Sequence, residues 1–210
     1  MAAVGLLYVG AVLFMNGLLL LGKVNAKSAG VFNVFVGALQ IVGPLYLIFT
    51  ARGDPWLIFA ASGIFLFGFT YLYVGIVNLF DIDPGGVGWY SLFVAIMALG
   101  YSAVNFIHFH DYLFGDIWLM WSFLWALFWV LLGLKWPISV YAGWVTLFEA
   151  WITATVPAFL ILASSWNQLN TGPAAIVLAA IAVVAFIGFY VIARPAPRRE
   201  QVRGTTTAAG

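Results

Sequence analysis

Seven apolar runs, each about one bilayer crossing long, leave this chain little choice of fold. A helix needs about 20 predominantly apolar residues to cross roughly 30 Å of hydrocarbon. Runs of that kind fall at 3–22, 30–50, 56–79, 89–107, 117–136, 139–163 and 173–193. Within hydrocarbon every backbone amide must be satisfied internally, so each run is read as a helix. The separators are short and polar: Lys23 to Lys27, Arg52 to Pro55, Asp81 to Gly86, His108 to Asp116, Lys135 to Pro137 and Asn167 to Pro173. Short connections make successive helices antiparallel neighbours. The reading is an all-α integral membrane protein with no soluble catalytic domain.

Composition agrees. Of the 210 residues, 65% are hydrophobic and only 7% charged, against about 25% charged in a soluble domain. A net charge of +1 gives no reason to expect nucleic acid. There are no cysteines, which excludes disulfides, thiol catalysis and thiolate metal sites. The N-terminus has no basic n-region, and the run it opens is too long for a signal-peptide core, so the first span is expected to be retained.

The basic residues set an expected orientation. With the N-terminus outside, the inner side holds Lys23, Lys27, Lys135, Arg194, Arg198, Arg199 and Arg203, and the outer side only Arg52. The C-terminus is then cytoplasmic. The tail 194–210, rich in Pro, Arg and Thr, is expected to be disordered.

Positions i, i+4, i+7 and i+11 share a helix face. The first span puts Leu6, Val9 and Leu13 on one arc, with Asn16 below them. The third aligns Phe67, Tyr71, Val74 and Asn78. The fifth aligns Trp118, Trp125 and Trp129, with Trp121 about 60° off the line. Tryptophans at span ends are ordinarily interfacial anchors, which accounts for Trp56, Trp89, Trp136 and Trp166 but not for Trp125 in mid-span. Tyr71 and Asn78 also read as hydrogen-bonders between helices. Glu149, in the middle of the sixth span, is the sharpest single signal. A charged group there costs roughly 2.5–3.5 kcal/mol on insertion scales and usually faces a cavity or a partner. With no Lys or Arg in the middle of any span, Glu149 either carries its proton or accepts hydrogen bonds from Thr146, Thr153 or a Tyr.

The sequence contains no Walker A loop, no HExxH or comparable metal pair and no GxSxG elbow. Neither an enzyme nor a cofactor or metal centre is expected. Walls of Leu, Phe, Tyr, Trp, Asn and Thr suit a small, neutral, polar solute, because an ion entering them would lose its hydration uncompensated.

The stretches Leu66 to Tyr73 (LFGFTYLY) and Trp89 to Ile96 (WYSLFVAI) resemble the signature of the AmiS/UreI family of bacterial urea channels and short-chain amide transporters. Leu6 to Gly10 with Asn16, Lys23 to Ser28, Gly115 with Asp116, and Glu149 followed by Thr153 and Pro157 strengthen the resemblance, which covers about residues 4–165. It implies a six-helix channel domain at 1–165 with its own solute path, assembled as a homohexamer in the bacterial inner membrane. It further implies that the pore is lined by Leu6, Val9, Leu13, Phe67, Tyr71, Trp118, Trp125, Trp129 and Glu149, and Trp121 is expected to join them. One family tryptophan falls on Ser122, with Trp121 beside it. The region 166–193, which carries the seventh span, lies beyond the family's usual end, and the span is expected at the periphery or a subunit contact. His108 and His110 are the candidate gating groups, though the outer loops are too short to favour acid gating.

The function these observations imply is passive permeation of urea or short aliphatic amides, supplying a cytoplasmic urease or amidase. The alternative is a proton-coupled secondary transporter in which Glu149 titrates.

Overall fold

The computed structural model describes residues 2–169 and 171–194. Among them, seven helices are long and apolar enough to cross a membrane: Ala2–Leu20, Ala26–Thr50, Pro55–Phe80, Gly85–Phe109, Tyr112–Gly133, Ser139–Leu162 and Thr171–Ala193. They are called spans one to seven below.

The starts and stops are chemically marked. Asn25, Asp54 and Asp111 cap spans two, three and five, each side chain accepting from a backbone N–H of the first turn. Each of the six connections contains a residue in the left-handed region: Gly22, Arg52 with Gly53, Asp81, His110, Lys135 and Ser164. A left-handed residue after the last helical turn satisfies orphan carbonyls and turns the chain back. Five of these six connections place a non-glycine residue there, and Asp81 shows the effect by donating its N–H to Val77 O.

Two boundaries differ from the sequence reading for a physical reason. Span two begins at Ala26, so Lys27 lies in its first turn and not in a loop. The segment His108 to Asp116 is almost wholly helical. His108 belongs to the final turn of span four, and Asp116 lies inside span five. The connection proper is His110 and Asp111, because the Asp111 side chain caps span five by accepting from Phe114 N at 3.0 Å. Of the tail expected to be disordered, everything after Arg194 falls outside the described residues.

Span one packs against spans two and six, span two lies along span three, and span four lies along span five. The seventh span packs on the outer side of spans five and six. Its stripe of Ala175, Leu178 and Ala182 is buried, and Phe186 stacks on Phe123 at 4.8 Å between ring centroids.

Three spans carry π-helical turns, at Asn105–Phe109, Trp129–Gly133 and Ala150–Thr155. Such turns contain an extra residue and often sit at functional sites. The one in span six starts directly after Glu149 and precedes Pro157, whose missing N–H would otherwise break the hydrogen-bond ladder. Thr155 Oγ1 donates to Ala150 O at 2.7 Å and closes the widened turn. Span one meets this turn through Gly10. A side chain there would collide with Thr155 Oγ1 and come within 2.9 Å of Ala150 O.

Candidate permeation site

Two cavities lie inside the bundle, end to end. One, of about 260 Å³, is lined by the early parts of spans one, three and five: Leu6 and Val9, Phe59 and Ile64, Phe114 and Trp118. The other, of about 200 Å³, is lined by the later parts of the same spans: Leu13 and Asn16, Tyr71 and Asn78, Trp125 and Phe128. These three spans run in the same direction, so the cavities open toward opposite membrane faces. The first lies on the N-terminal side; it is called the outer cavity and the second the inner cavity, after the orientation expected from the basic residues. The second lies on the side of Lys27, Asp81 and Lys135, and Pro84 of the third connection reaches its wall. Each volume is several times the roughly 30 Å³ that one water occupies.

Phe67 and Trp121 line both cavities and form the neck between them. The Phe67 ring meets Trp121 edge-on at 4.8 Å and Trp125 at 4.8 Å. Trp118 lies edge-on to Trp121 at 4.9 Å and is stacked on Tyr101 at 4.5 Å. Tyr101 continues the series to Phe59 at 4.6 Å. Rings held at these separations brace one another in the offset and edge-to-face geometries that aromatic pairs prefer. The neck is further fixed by a hydrogen bond, Trp121 Nε1 donating to Thr153 Oγ1 at 2.9 Å. Thr153 in turn donates to Glu149 O at 2.6 Å. The π turn of span six thus carries the residue that orients the neck tryptophan.

Among the described residues, no Asp, Glu, Lys, Arg or His lines either cavity. The polar lining of the inner cavity is Asn16, Thr70, Tyr71, Asn78 and Ser91. Asn16 is locked to Asn33 of span two by two reciprocal amide bonds of 2.7 and 3.0 Å. Thr70 and Ser91 donate to the carbonyls of Leu66 and Val87 on their own helices.

The residues singled out in the sequence divide into groups. Leu6, Val9 and Trp118 lie on the outer cavity, Leu13, Tyr71 and Trp125 on the inner one, and Phe67 and Trp121 on both. Trp129 lines neither. It sits in the π turn that ends span five and packs edge-on against Trp89 at 6.0 Å. Glu149 also lines neither and is 0% exposed. The expected hydrogen bonds from Thr146 and Thr153 do not form, because both hydroxyls donate to backbone carbonyls one turn back, at Ala142 and Glu149. Neither carboxyl oxygen of Glu149 has a hydrogen-bond partner among the described residues. Ser122 donates to Ala95 O of span four at 2.7 Å, so the neck is served by Trp121 beside it. His108 stacks on Trp56 at 3.6 Å, and His110 is the left-handed residue closing span four. Tyr101, Phe59 and Gln40 line the outer cavity without having been picked out. Tyr101 and Gln40 sit on spans four and two, where no inward stripe stands out in the sequence, and Phe59 lies two turns before the stripe read on span three.

Two ion pairs flank the inner mouth, Lys27–Asp81 at 2.8 Å and Lys135–Asp83 at 3.2 Å. The Gly85 N–H and then Lys135 hold the Asp83 carboxyl below its ordinary range.

Six spans enclosing two cavities that meet at an aromatic neck, with a seventh packed outside them, define a multi-pass membrane protein of the permeation class. A family model described as AmiS/UreI family transporter matches residues 1–165. The chain belongs to that family. It is 54% identical over 168 residues to the putative transporter protein AmiS2 of Rhodococcus erythropolis, covering 80% of this chain and 82% of that one. It is 50% identical over 202 residues to a putative amidate substrates transporter protein of Mycolicibacterium smegmatis, covering 95% and 91%. The crystal structure of the urea channel from Helicobacter pylori superposes with a TM-score of 0.71 at 35% identity, covering 79% of this chain and 99% of that one.

Proposed function

We propose that the protein is a passive channel for small neutral carbonyl solutes, urea or short-chain aliphatic amides. The observation that carries this reading is the pair of charge-free cavities joined at the Phe67–Trp121 neck within one chain. A flat slot between aromatic rings favours a planar solute. An ion would have to shed water with nothing charged to replace it. The relatives' names point to the same solutes.

In this reading Leu6, Val9 and Leu13 form the aliphatic wall. Phe67, Trp118, Trp121 and Trp125 form the slot, and Tyr71 supplies a hydroxyl on its inner side. Trp129 and Glu149 support the wall from behind. The solute moves down a gradient maintained by hydrolysis in the cytoplasm. The bias of basic residues supports an inner mouth on the side of Lys27 and Lys135 and an N-terminus outside. The family resemblance supports a homohexamer in the bacterial plasma membrane, which native mass spectrometry of the purified protein would verify.

The experiment is stopped-flow uptake into proteoliposomes with urea, acetamide, formamide and glycerol. Urea or an amide is expected to enter well ahead of glycerol, without saturation at micromolar concentration. An imposed pH gradient is expected to drive no uphill accumulation, in the wild type or in Glu149→Gln, because the carboxyl group faces neither cavity. Uphill accumulation that disappears in Glu149→Gln would establish proton coupling instead.

A further inference from the structure

Asn78 is the one carboxamide of the inner cavity whose donor is uncommitted. Its Nδ2 has no hydrogen-bond partner among the described residues, whereas Asn16 spends both of its edges on Asn33. Thr70 and Ser91 are also committed, their hydroxyls donating to their own helices. A buried amide left unpaired costs about 1–3 kcal/mol, so such a group calls for an explanation. The sequence reading of Asn78 as a bond between helices supplies none, since Nδ2 reaches no neighbour.

Asn78 sits where spans two and three cross closely. Span two approaches span three through Gly30, where an added methyl group would come within 3.2 Å of the Asn78 Cβ and 3.1 Å of Gly75 O. Asn78 is nevertheless among the residues that line the inner cavity, as Tyr71 is on the same span. Seven residues along a helix separate the two by about 10.5 Å.

We propose that Asn78 is a solute-binding residue, a hydrogen-bonding station between the aromatic neck and the inner mouth. A carboxamide presents one N–H edge and one C=O edge. Turned about its last torsion, it offers either edge to the cavity, and neither orientation breaks a bond to the protein. Urea and primary amides carry the complementary pair of edges, so they rehydrate in two stages on leaving the neck. The proposal rests on the carbonyl-solute reading above and adds a residue to it.

The test compares wild type, Asn78→Leu and Asn78→Ala in proteoliposomes, with urea and acetamide as solutes and thiourea as the probe whose sulfur accepts weakly. Wild-type flux is read first. Absence of urea and acetamide flux there would overturn the channel reading together with this one. With wild-type flux present, Asn78→Leu is expected to lower urea and acetamide permeability about threefold or more and to narrow the preference for urea over thiourea. The monodisperse elution and melting temperature in detergent stay at wild-type values. Asn78→Ala, which adds no bulk, is expected to do the same and decides the matter if the leucine variant does not assemble. Urea permeability within 1.5-fold of wild type, with an unchanged urea-to-thiourea ratio, would overturn the assignment of Asn78 while leaving the channel reading intact.

Discussion

Trp121 is held by neighbouring rings and by one hydroxyl. Its indole N–H is buried, and Thr153 Oγ1 accepts from it while also donating to Glu149 O. Valine at 153 would keep the volume and remove the acceptor. A buried N–H left without its acceptor costs about 1–3 kcal/mol, and the ring, 3% exposed, would be free to leave its edge-on contact with Phe67. Thr153→Val is therefore expected to lower the melting temperature in detergent and to weaken the preference for urea over glycerol in proteoliposome uptake. Wild-type selectivity in this variant would show that ring packing alone holds the neck. The periodicity of the fifth span marks Trp118 and Trp125 but sets Trp121 off the line, although Trp121 turns out to line both cavities. What single-helix spacing lacks is the partner: a threonine thirty-two residues away decides where the indole points. Glu149 shows the converse. Its burial was legible from its mid-span position, but its lack of partners was not, since nothing in the sequence says that Thr146 and Thr153 donate to their own backbone.

At the scale of whole helices, length and hydropathy were enough to place all seven spans, because hydrocarbon thickness is a fixed ruler. The ends moved by a few residues wherever a cap or a left-handed residue, and not hydropathy, set the boundary. The π turns were not legible, since an extra residue in a helix leaves no mark on an apolar sequence. The repeated word Leu-Tyr-Val-Gly at 7–10 and 72–75 has a packing account: in both places the tyrosine is exposed and the glycine lies at a helix crossing. At Gly10 the crossing is against the π turn of span six, where Ala150 O and Thr155 N both lie 2.9 Å from the position of an added Cβ. The obstruction is backbone and cannot swing aside. Gly10→Val is expected to separate spans one and six and to abolish recovery of a monodisperse protein. Gly43→Val, at a position with nothing within 4 Å of an added Cβ, is expected to be tolerated. Equal yields for the two variants in size-exclusion chromatography would refute the close-packing account.

The whole molecule divides into a bundle that contains both cavities and a seventh span outside it. The cavity walls draw chiefly on spans one, three and five, with contributions from two, four and six and none from the seventh among the residues described. The family model ends at residue 165, whereas the alignment with the Mycolicibacterium relative spans 95% of this chain and so runs through the seventh span. The seventh span is fastened by aromatic contacts: Phe186 on Phe123 and Phe148, Phe189 on Phe148 and Trp144, and Tyr190 on Tyr141. Aromatic pairs contribute about 0.5–1.5 kcal/mol each beyond area burial. In a bilayer, helix association rests on packing of this kind, because lipid tails are as apolar as leucine. Phe148 touches the seventh span and is followed directly by Glu149 and the π turn that positions Thr153. A chain ending at Leu169 should therefore keep the two cavities and the neck, and carry urea or acetamide at rates within about twofold of the full chain. Its melting temperature should fall by about 10 °C, in line with the loss of a few kcal/mol from a protein of this size. Flux per protein and melting would be read on the same preparations. Loss of selectivity in the truncated chain at temperatures where it remains folded would mean that the seventh span sets the neck through Phe148, and that the channel bundle is not self-sufficient.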